Sequence, residues 1–314
     1  MMRTAVENAI LIAGPTASGK TELALRLAER FGGEVVNADS MQVYAGLRLI
    51  TARPNDGETA RAPHHLFGHV DPADGYSVAH WLADAERSMR AIAGRGGLPI
   101  LAGGTGLYFN GLLKGLNAVP PVDPGIRAEL RERAAAGDDG LFLELEAADP
   151  QTASKLRPGD TQRVARALEV VRSTGRPLSW WQAQPTSRPL LSGGDYAGVV
   201  LEPERAVLRE RIAARFRAMV AQGALEEAAD FMARGLPAVR PAMRAIGMGE
   251  LSAHLRGEIS LEAAMALAIT ATQQYAKRQS TWFRNQFGVE WLRADRLESA
   301  VQCVGAKVDG GNSV

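Results

Sequence analysis

Eight consecutive residues, Gly14, Pro15, Thr16, Ala17, Ser18, Gly19, Lys20 and Thr21, match the pattern GxxxxGK[ST] in full. The chemistry that this pattern serves is holding a phosphate ester. Glycines at both ends let the backbone wrap closely with its amide N–H groups turned inward, and the N-terminus of a following helix adds a field that favours anions. Lys20 supplies a point charge, and the Thr21 hydroxyl is placed to ligate a Mg²⁺ ion bound to the phosphates. The pattern does not say which ester is held. Two further turns carry groups of chemical interest, Asp39-Ser40-Met41-Gln42 and Gly103-Gly104-Thr105-Gly106. Asp39 can serve as an acidic metal ligand at a strand end, as a general base, or simply as a helix cap. The Asn-Lys-x-Asp segment of a guanine-specific enzyme is absent from the sequence.

Such groups need a frame, and the apolar pattern describes one. The run Ala9–Ala13 leads into the phosphate loop, and Leu23, Leu25, Leu27 and Ala28 recur among polar residues after it, giving strand, loop and helix. Further apolar runs at residues 34–38 and 98–102 end at the other two turns, with a helical pattern over residues 78–93 between them. Strand-like runs alternating with helical ones predict an α/β fold of the P-loop NTPase type, a parallel sheet with helices on both faces. Ligands of such sheets sit beyond the carboxyl ends of the strands, where all three turns lie. Residues 1–120 read as the first part of this core. Residues 121–194 read as an all-helical insertion, with helical patterns at 126–145 and 161–171. Residues 195–314 read as a return to the sheet at 197–201, then helices at 204–234, 248–256 and 261–285, with a loose tail from residue 309.

The chain has 314 residues, enough for about two domains, and 46% hydrophobic with 23% charged residues is ordinary globular composition, which excludes a disordered or fibrous protein. A net charge of +1 excludes a histone-like protein, so any polyanion must be met locally. Residues 155–176 hold six basic and two acidic residues, and residues 240–284 hold six and three, with Tyr275, Trp282 and Phe283 interleaved. These stretches read either as solvated helix faces or as surfaces for RNA phosphates and bases. The single cysteine, Cys303, leaves no disulfide framework or multi-thiolate zinc site and fits a reducing cytoplasm. Residues 1–8 show no signal core, and no apolar run approaches the ~18 residues of a membrane span. His64 and His65 are read as a structural loop, not a metal site, because adjacent side chains diverge; Trp180-Trp181 is read as packing or RNA stacking.

Five segments taken in order are more specific than any one. Gly14 to Thr21, Asp39-Ser40-Met41-Gln42-Val43-Tyr44, Gly103-Gly104-Thr105-Gly106-Leu107-Tyr108, Arg166-Ala167-Leu168-Glu169-Val170, and Ala276-Lys277-Arg278-Gln279 with Thr281-Trp282 together resemble the bacterial tRNA dimethylallyltransferase (isopentenyltransferase) family. The resemblance spans most of the chain. It implies transfer of the dimethylallyl group from dimethylallyl diphosphate to the exocyclic amine of the adenosine 3′ of the anticodon, in tRNAs reading codons that begin with U. It further implies that the loop holds diphosphate, that Mg²⁺ assists, and that the enzyme is a cytoplasmic monomer. Asp39 resembles the family's proton acceptor, Thr105 its threonine near the reacting centre, and Arg215 its arginine near the diphosphate. The resemblance places Asp39, Ser40, Met41, Gln42 and Thr105 near tRNA. It does the same for Gln162, Arg163, Val164, Ala165 and Arg166, for Arg244 and Gly247, and for Lys277, Arg278, Gln279, Trp282 and Arg284. The helical insertion would then grip the anticodon stem, and the target base would be extruded into a channel.

Two departures from the family pattern touch the RNA face. Residues 244–250 read Arg-Ala-Ile-Gly-Met-Gly-Glu where an aromatic commonly follows the glycine, so Met248 stands for a ring and hydroxyl; Thr272-Gln273-Gln274 stands where a cation is common. The competing readings are a P-loop kinase using the same loop for ATP and a non-catalytic RNA-binding P-loop protein. Asp39 and Thr105 at neighbouring strand ends argue against the latter.

Overall fold

The computed structural model describes residues 8–311. The reading of residues 1–7 and the last three residues of the expected tail fall outside them. Six strands form one sheet: β1 (Ala9–Ala13), β2 (Gly33–Asn37), β3 (His64–His65), β4 (Leu98–Gly103), β5 (Tyr196–Leu201) and β6 (Leu292–Ala294). Their order is β3-β2-β4-β1-β5-β6 and every pairing is parallel, with Ile10 opposite Ile100 on one side and Ala197 on the other. Alternate residues feed two cores. Leu11, Val36, Leu101 and Val200 face one, while Ile10, Ile12, Val35, Ile100 and Val199 face the other. Strands buried on both faces are continuously apolar, which is why these runs carry no polar alternation.

Helices complete both layers. In chain order they are α1 (Lys20–Phe31), α2 (Asp56–Arg61), α3 (Val78–Gly94) and α4 (Gly106–Lys114), then α5 (Pro124–Ala135), α6 (Gly140–Ala148), α7 (Pro150–Ala153), α8 (Thr161–Thr174) and α9 (Leu178–Gln182). After β5 come α10 (Arg205–Ala221), α11 (Ala224–Ala233), α12 (Met248–Leu255), α13 (Leu261–Gln286) and α14 (Leu297–Gly311). Helix α1 packs Leu23, Leu25 and Leu27 with Ala300 and Val304 of α14 on one face of the sheet. Full burial of each such leucine contributes about 2 kcal/mol. On the opposite face Trp81 and Met89 of α3, Phe109 of α4, Phe216 of α10 and Phe283 of α13 share the larger core.

Two compact units result, one formed by the described residues up to Leu113 and from Leu190 onward, the other spanning Lys114–Pro189. The second unit is all-helical around Leu130, Leu141, Leu145, Val164 and Leu168. Inside it the Asp149 carboxylate accepts from the N–H and hydroxyl of both Thr152 and Ser179, at 2.6–3.0 Å. Burial works to raise the Asp149 carboxyl, and these bonds outweigh it and hold it below the usual range. Two sequence expectations are corrected. The helix read over 204–234 breaks at Gly223, whose φ of 105° ends one helix and starts the next. Residues 309–311 continue α14 and are not loose. The short strands β3 and β6 gave no apolar run long enough to read. Among the described residues no helix is long and apolar enough to cross a membrane.

Candidate active site

The three turns singled out in the sequence follow β1, β2 and β4, which are neighbours in the sheet, so they meet at one end. The phosphate loop leads from β1 into α1, whose first two residues are Lys20 and Thr21. Lys20 Nζ donates to the Pro15 carbonyl at 2.6 Å, folding the side chain back over the loop. Burial pushes the Lys20 ammonium down to about 7; Asp39 pulls it back up and Arg215 pushes it down. Ser18 Oγ is buried without a hydrogen-bond partner among the described residues, an unsatisfied group that a ligand oxygen would complete. Arg215, on α10, donates from Nη2 to Thr16 Oγ1 and so brings a second fixed cation onto the loop. Burial also lowers Arg215, opposed by Asp39. The site therefore concentrates positive charge that the protein alone leaves poorly compensated, an arrangement that favours a multiply charged anion.

Asp39 is held by a residue that no sequence motif marks. Asn37, fully buried at the end of β2, accepts the Asp39 N–H on Oδ1 at 2.8 Å, and its Nδ2 donates to the carbonyls of Asp39 and Leu66, each at 3.0 Å. Trp81 Nε1 donates to the Asn37 carbonyl at 2.8 Å, and its ring stacks on Tyr108 at 4.2 Å. The turn is thus fixed from the core outward. Asp39 Oδ1 accepts from the Met41 N–H at 2.9 Å, while Oδ2 receives no hydrogen bond from the described residues. Thr105 does not stand apart: its Oγ1 accepts the Ser40 N–H at 2.9 Å and lies 3.2 Å from Ser40 Oγ, tying the β4 turn to the β2 turn.

Helix α13 closes the site from the other side. Buried Gln279 accepts the Thr16 N–H on Oε1 and donates from Nε2 to the Gly104 carbonyl, both at 2.9 Å. Glycine is required at 104 and 106 by close approach: a Cβ at Gly104 would lie 2.1 Å from Gln279 Nε2, and one at Gly106 would lie 2.2 Å from the Trp282 ring. These approaches give Gln279 and Trp282 bracing positions within the protein. Gln42 likewise uses its amide internally, donating to the carbonyls of Thr51 and Ala52 at 2.8 and 2.9 Å.

Two hollows open here. A groove of ≈ 470 Å³ runs over Thr16 to Glu22 and includes Asp39, Gln42, His64 and Arg211. Beside it a smaller cavity of ≈ 80 Å³ is lined by Ile50, Ile212, Phe216, Met219, Ile246 and Tyr275 among others. Thr16, Asp39, Thr51 and Arg215 line both. The Asp39 carboxylate therefore stands where the groove over the phosphate loop meets a largely apolar pocket. His64, read from the sequence as structural, lines the groove; its Nδ1 lies 2.7 Å from the Ala62 carbonyl and its buried Nε2 has no partner among the described residues, while burial lowers its basicity. The apolar residues of the cavity come from the segment between β2 and α2, from α10 and α13, and from the segment before α12, and only packing brings them together, so no local pattern marks them.

The remaining sequence-predicted residues sort by exposure. Arg244, Lys277, Arg278 and Arg284 are exposed on the first unit, with Arg284 paired to Glu202 at 2.7 Å. Gly247, with φ 98°, precedes α12 and its N–H is capped by Glu250 at 3.0 Å. In the second unit Gln162, Arg163 and Arg166 are exposed, whereas Val164 and Ala165 are buried in that unit's core, so their side chains pack instead of facing outward. No cluster of three or more His, Cys, Asp or Glu side chains poised to hold a metal occurs among the described residues. Thr21 and Asp39 both line the groove, and a hard cation that keeps its waters and binds chiefly through phosphate oxygens needs no larger protein set.

Proteins of known family share this sequence and fold. An IPP transferase family profile matches residues 42–286, and an isopentenyl transferase profile matches residues 7–63. The chain is 51% identical over 295 residues to a tRNA dimethylallyltransferase of Methylobacterium radiotolerans, covering 94% of this chain and 95% of that one. It is 52% identical over 294 residues to a tRNA dimethylallyltransferase of Phenylobacterium zucineum, covering 92% and 93%. The crystal structure of a tRNA isopentenylpyrophosphate transferase from Bacillus halodurans superposes with a TM-score of 0.68 at 32% identity over 98% of both chains. A eukaryotic dimethylallyltransferase acting on tRNA superposes with a TM-score of 0.75 at 26% identity, covering 97% of this chain and 80% of that one.

Proposed function

We propose, from the premise that this chain belongs to the IPP transferase family, that it is a prenyltransferase moving the dimethylallyl group of dimethylallyl diphosphate onto the exocyclic amine of the adenosine 3′ of the tRNA anticodon. The observation that carries the reading is the position of Asp39 at the junction of the phosphate-loop groove and the apolar cavity. The groove suits the diphosphate, the cavity suits the five-carbon chain, and the allylic carbon falls between them. The amine nitrogen forms a bond to that carbon as the carbon–oxygen bond breaks, the amine proton passes to the free oxygen of Asp39, and diphosphate departs with the bonding electrons. Loop amides, Lys20 and Arg215 stabilise the charge that builds on the leaving oxygens, which is where electrostatic stabilisation is most effective. Thr105 serves by fixing the turn that carries Asp39. A divalent cation, Mg²⁺ in this reading, would be held by Thr21 and the diphosphate and would supply further charge neutralisation.

For the RNA, we assign Arg244, Lys277, Arg278 and Arg284 on the first unit and Gln162, Arg163 and Arg166 on the helical unit to tRNA contact, because they are exposed and mostly basic. The deciding experiment is incubation of the purified protein with Mg²⁺, radiolabelled dimethylallyl diphosphate and unmodified tRNA, with and without ATP. Label in tRNA that modest ATP leaves unchanged is the expected result. No label, with tight ATP binding, would overturn the reading in favour of a kinase.

A further inference from the structure

Three arginines of the helical unit converge on one buried carboxylate. The Glu169 side chain, on α8, is 3% exposed; Arg131 Nε lies 3.1 Å from its Oε1, and Arg166 Nη1 and Arg127 Nε lie 3.3 and 3.8 Å from its Oε2. One carboxylate cannot neutralise three guanidiniums, so the cluster keeps an excess of positive charge. The arginine side chains are 42–44% exposed, and Arg127 Nε is a buried donor without an acceptor among the described residues. A neighbouring network, drawn from α5, α6, α8 and the turn between α5 and α6, is built differently. There Arg133 and Arg172 face Glu129, Asp138 and Glu144, two cations against three carboxylates. The surface therefore neutralises one arginine group and leaves the other cationic around a fixed anchor. Arg131 and Arg166 each give one Glu169 oxygen its hydrogen bond, so satisfying the carboxylate accounts for two guanidiniums but not for the third: Arg127 makes no hydrogen bond to it and repels the other two.

We propose that Arg127, Arg131 and Arg166, held by Glu169, form a binding site for backbone phosphates of RNA. The guanidinium fork matches phosphate oxygens, and anchoring the arginines beforehand reduces the side-chain freedom lost when RNA binds. Glu169 is a positioning residue here, since it touches the arginines and not the RNA. The site adds two residues of α5 to the exposed face of α8 and rests on the reading that this chain acts on tRNA.

The test uses the full chain and compares wild type, Arg127→Gln/Arg131→Gln and Glu169→Gln. For the double variant the KM for tRNA rises about tenfold while kcat at saturating tRNA and the KM for dimethylallyl diphosphate hold. The slope of log affinity against log salt also shrinks by about 1.4 to 1.8, at roughly 0.7 to 0.9 for each of two phosphates that are no longer neutralised. Glu169→Gln separates positioning from bare charge. Removing a negative charge alone tightens RNA binding, whereas loss of the anchor weakens it, and several-fold weaker binding is expected. Unchanged tRNA KM and salt slope in the double variant, or tighter binding in Glu169→Gln, would overturn the proposal even if melting temperatures fall. A wild-type protein that leaves tRNA unlabelled sinks the functional reading itself, an outcome distinct from active wild type with indifferent variants.

Discussion

Gln279 binds the Thr16 N–H at 2.9 Å, joining the middle of α13 directly to the phosphate loop. The same amide holds the Gly104 carbonyl, next to the threonine that fixes the Asp39 turn. Helix α13 also carries Lys277 and Arg278, which are exposed, and Tyr275, which lines the apolar cavity. One helix thus presents charge outward and braces the site inward, so displacement of α13 must strain the GxxxxGKT loop.

Truncating that brace should therefore act on the diphosphate side. Gln279→Ala leaves the Thr16 N–H and the Gly104 carbonyl without their partner, at a cost of about 1 to 3 kcal/mol shared between folding and loop geometry. The KM for dimethylallyl diphosphate is expected to rise about tenfold, with a smaller change in the KM for tRNA. Steady-state kinetics with each substrate varied in turn checks this; a change confined to tRNA would show that Gln279 acts on the RNA face.

Asp39 makes a complementary prediction. Asp39→Asn keeps the oxygen that accepts from Met41 but removes the proposed proton acceptor, so kcat should fall 10²- to 10⁴-fold while tRNA binding measured by filter retention stays within about threefold. Normal single-turnover rates in this variant would remove the carboxylate from the proton transfer.

Much of this is legible in the chain because the relevant chemistry is local. The phosphate loop is contiguous, and Asp39 and Thr105 each end an apolar run, so their convergence follows from the rule for parallel sheets. The five-segment resemblance agrees with relatives of about half identity over most of the chain. What stays hidden depends on packing. Asn37 reads as one more strand residue, yet its side chain fixes the turn that carries Asp39. Gln279 is placed near tRNA by the resemblance, since nothing in the neighbouring residues reveals that its partners lie at Thr16 and Gly104. His64 and His65 read alike in the sequence, although only His64 lines the groove.

Lys20 supplies a pH dependence. Its ammonium is lowered to about 7 in the free protein, chiefly by burial, and a bound diphosphate would raise it again. At pH 8 the group is mostly neutral when free and charged when bound, so binding takes up a proton; at pH 6 it is charged in both states and takes up none. Affinity should thus weaken as pH rises above 7, by up to tenfold per unit. Calorimetry in two buffers of different ionisation enthalpy measures the uptake directly. Equal apparent enthalpies at pH 8 would mean that Lys20 is already charged in the free site, and Lys20→Ala should abolish both the uptake and most of the affinity.

Glu34 offers a stability prediction away from the reacting centre. At the start of the β2 run its carboxylate receives Arg95 Nε at 2.6 Å, with Arg95 Nη2 on the other oxygen, and His65 Nε2 lies 2.6 Å away, so β2, β3 and the turn before β4 meet on one anion. Arg95 is the main cause that holds the carboxyl down at about 2, against burial and with help from His65. A depressed carboxyl contributes stability that is fully present above its ordinary pKa and is lost as pH falls through the folded value. The window therefore runs from about 4.5 down to 2, and the shift corresponds to at most about 3 kcal/mol. Glu34→Gln should lower urea stability at pH 7 by about 1 to 3 kcal/mol, and the difference from wild type should shrink as the pH is taken down through that window. A difference that stays constant from pH 7 to pH 2.5 would show that side-chain shape, and not the ionised pair, holds this corner of the sheet.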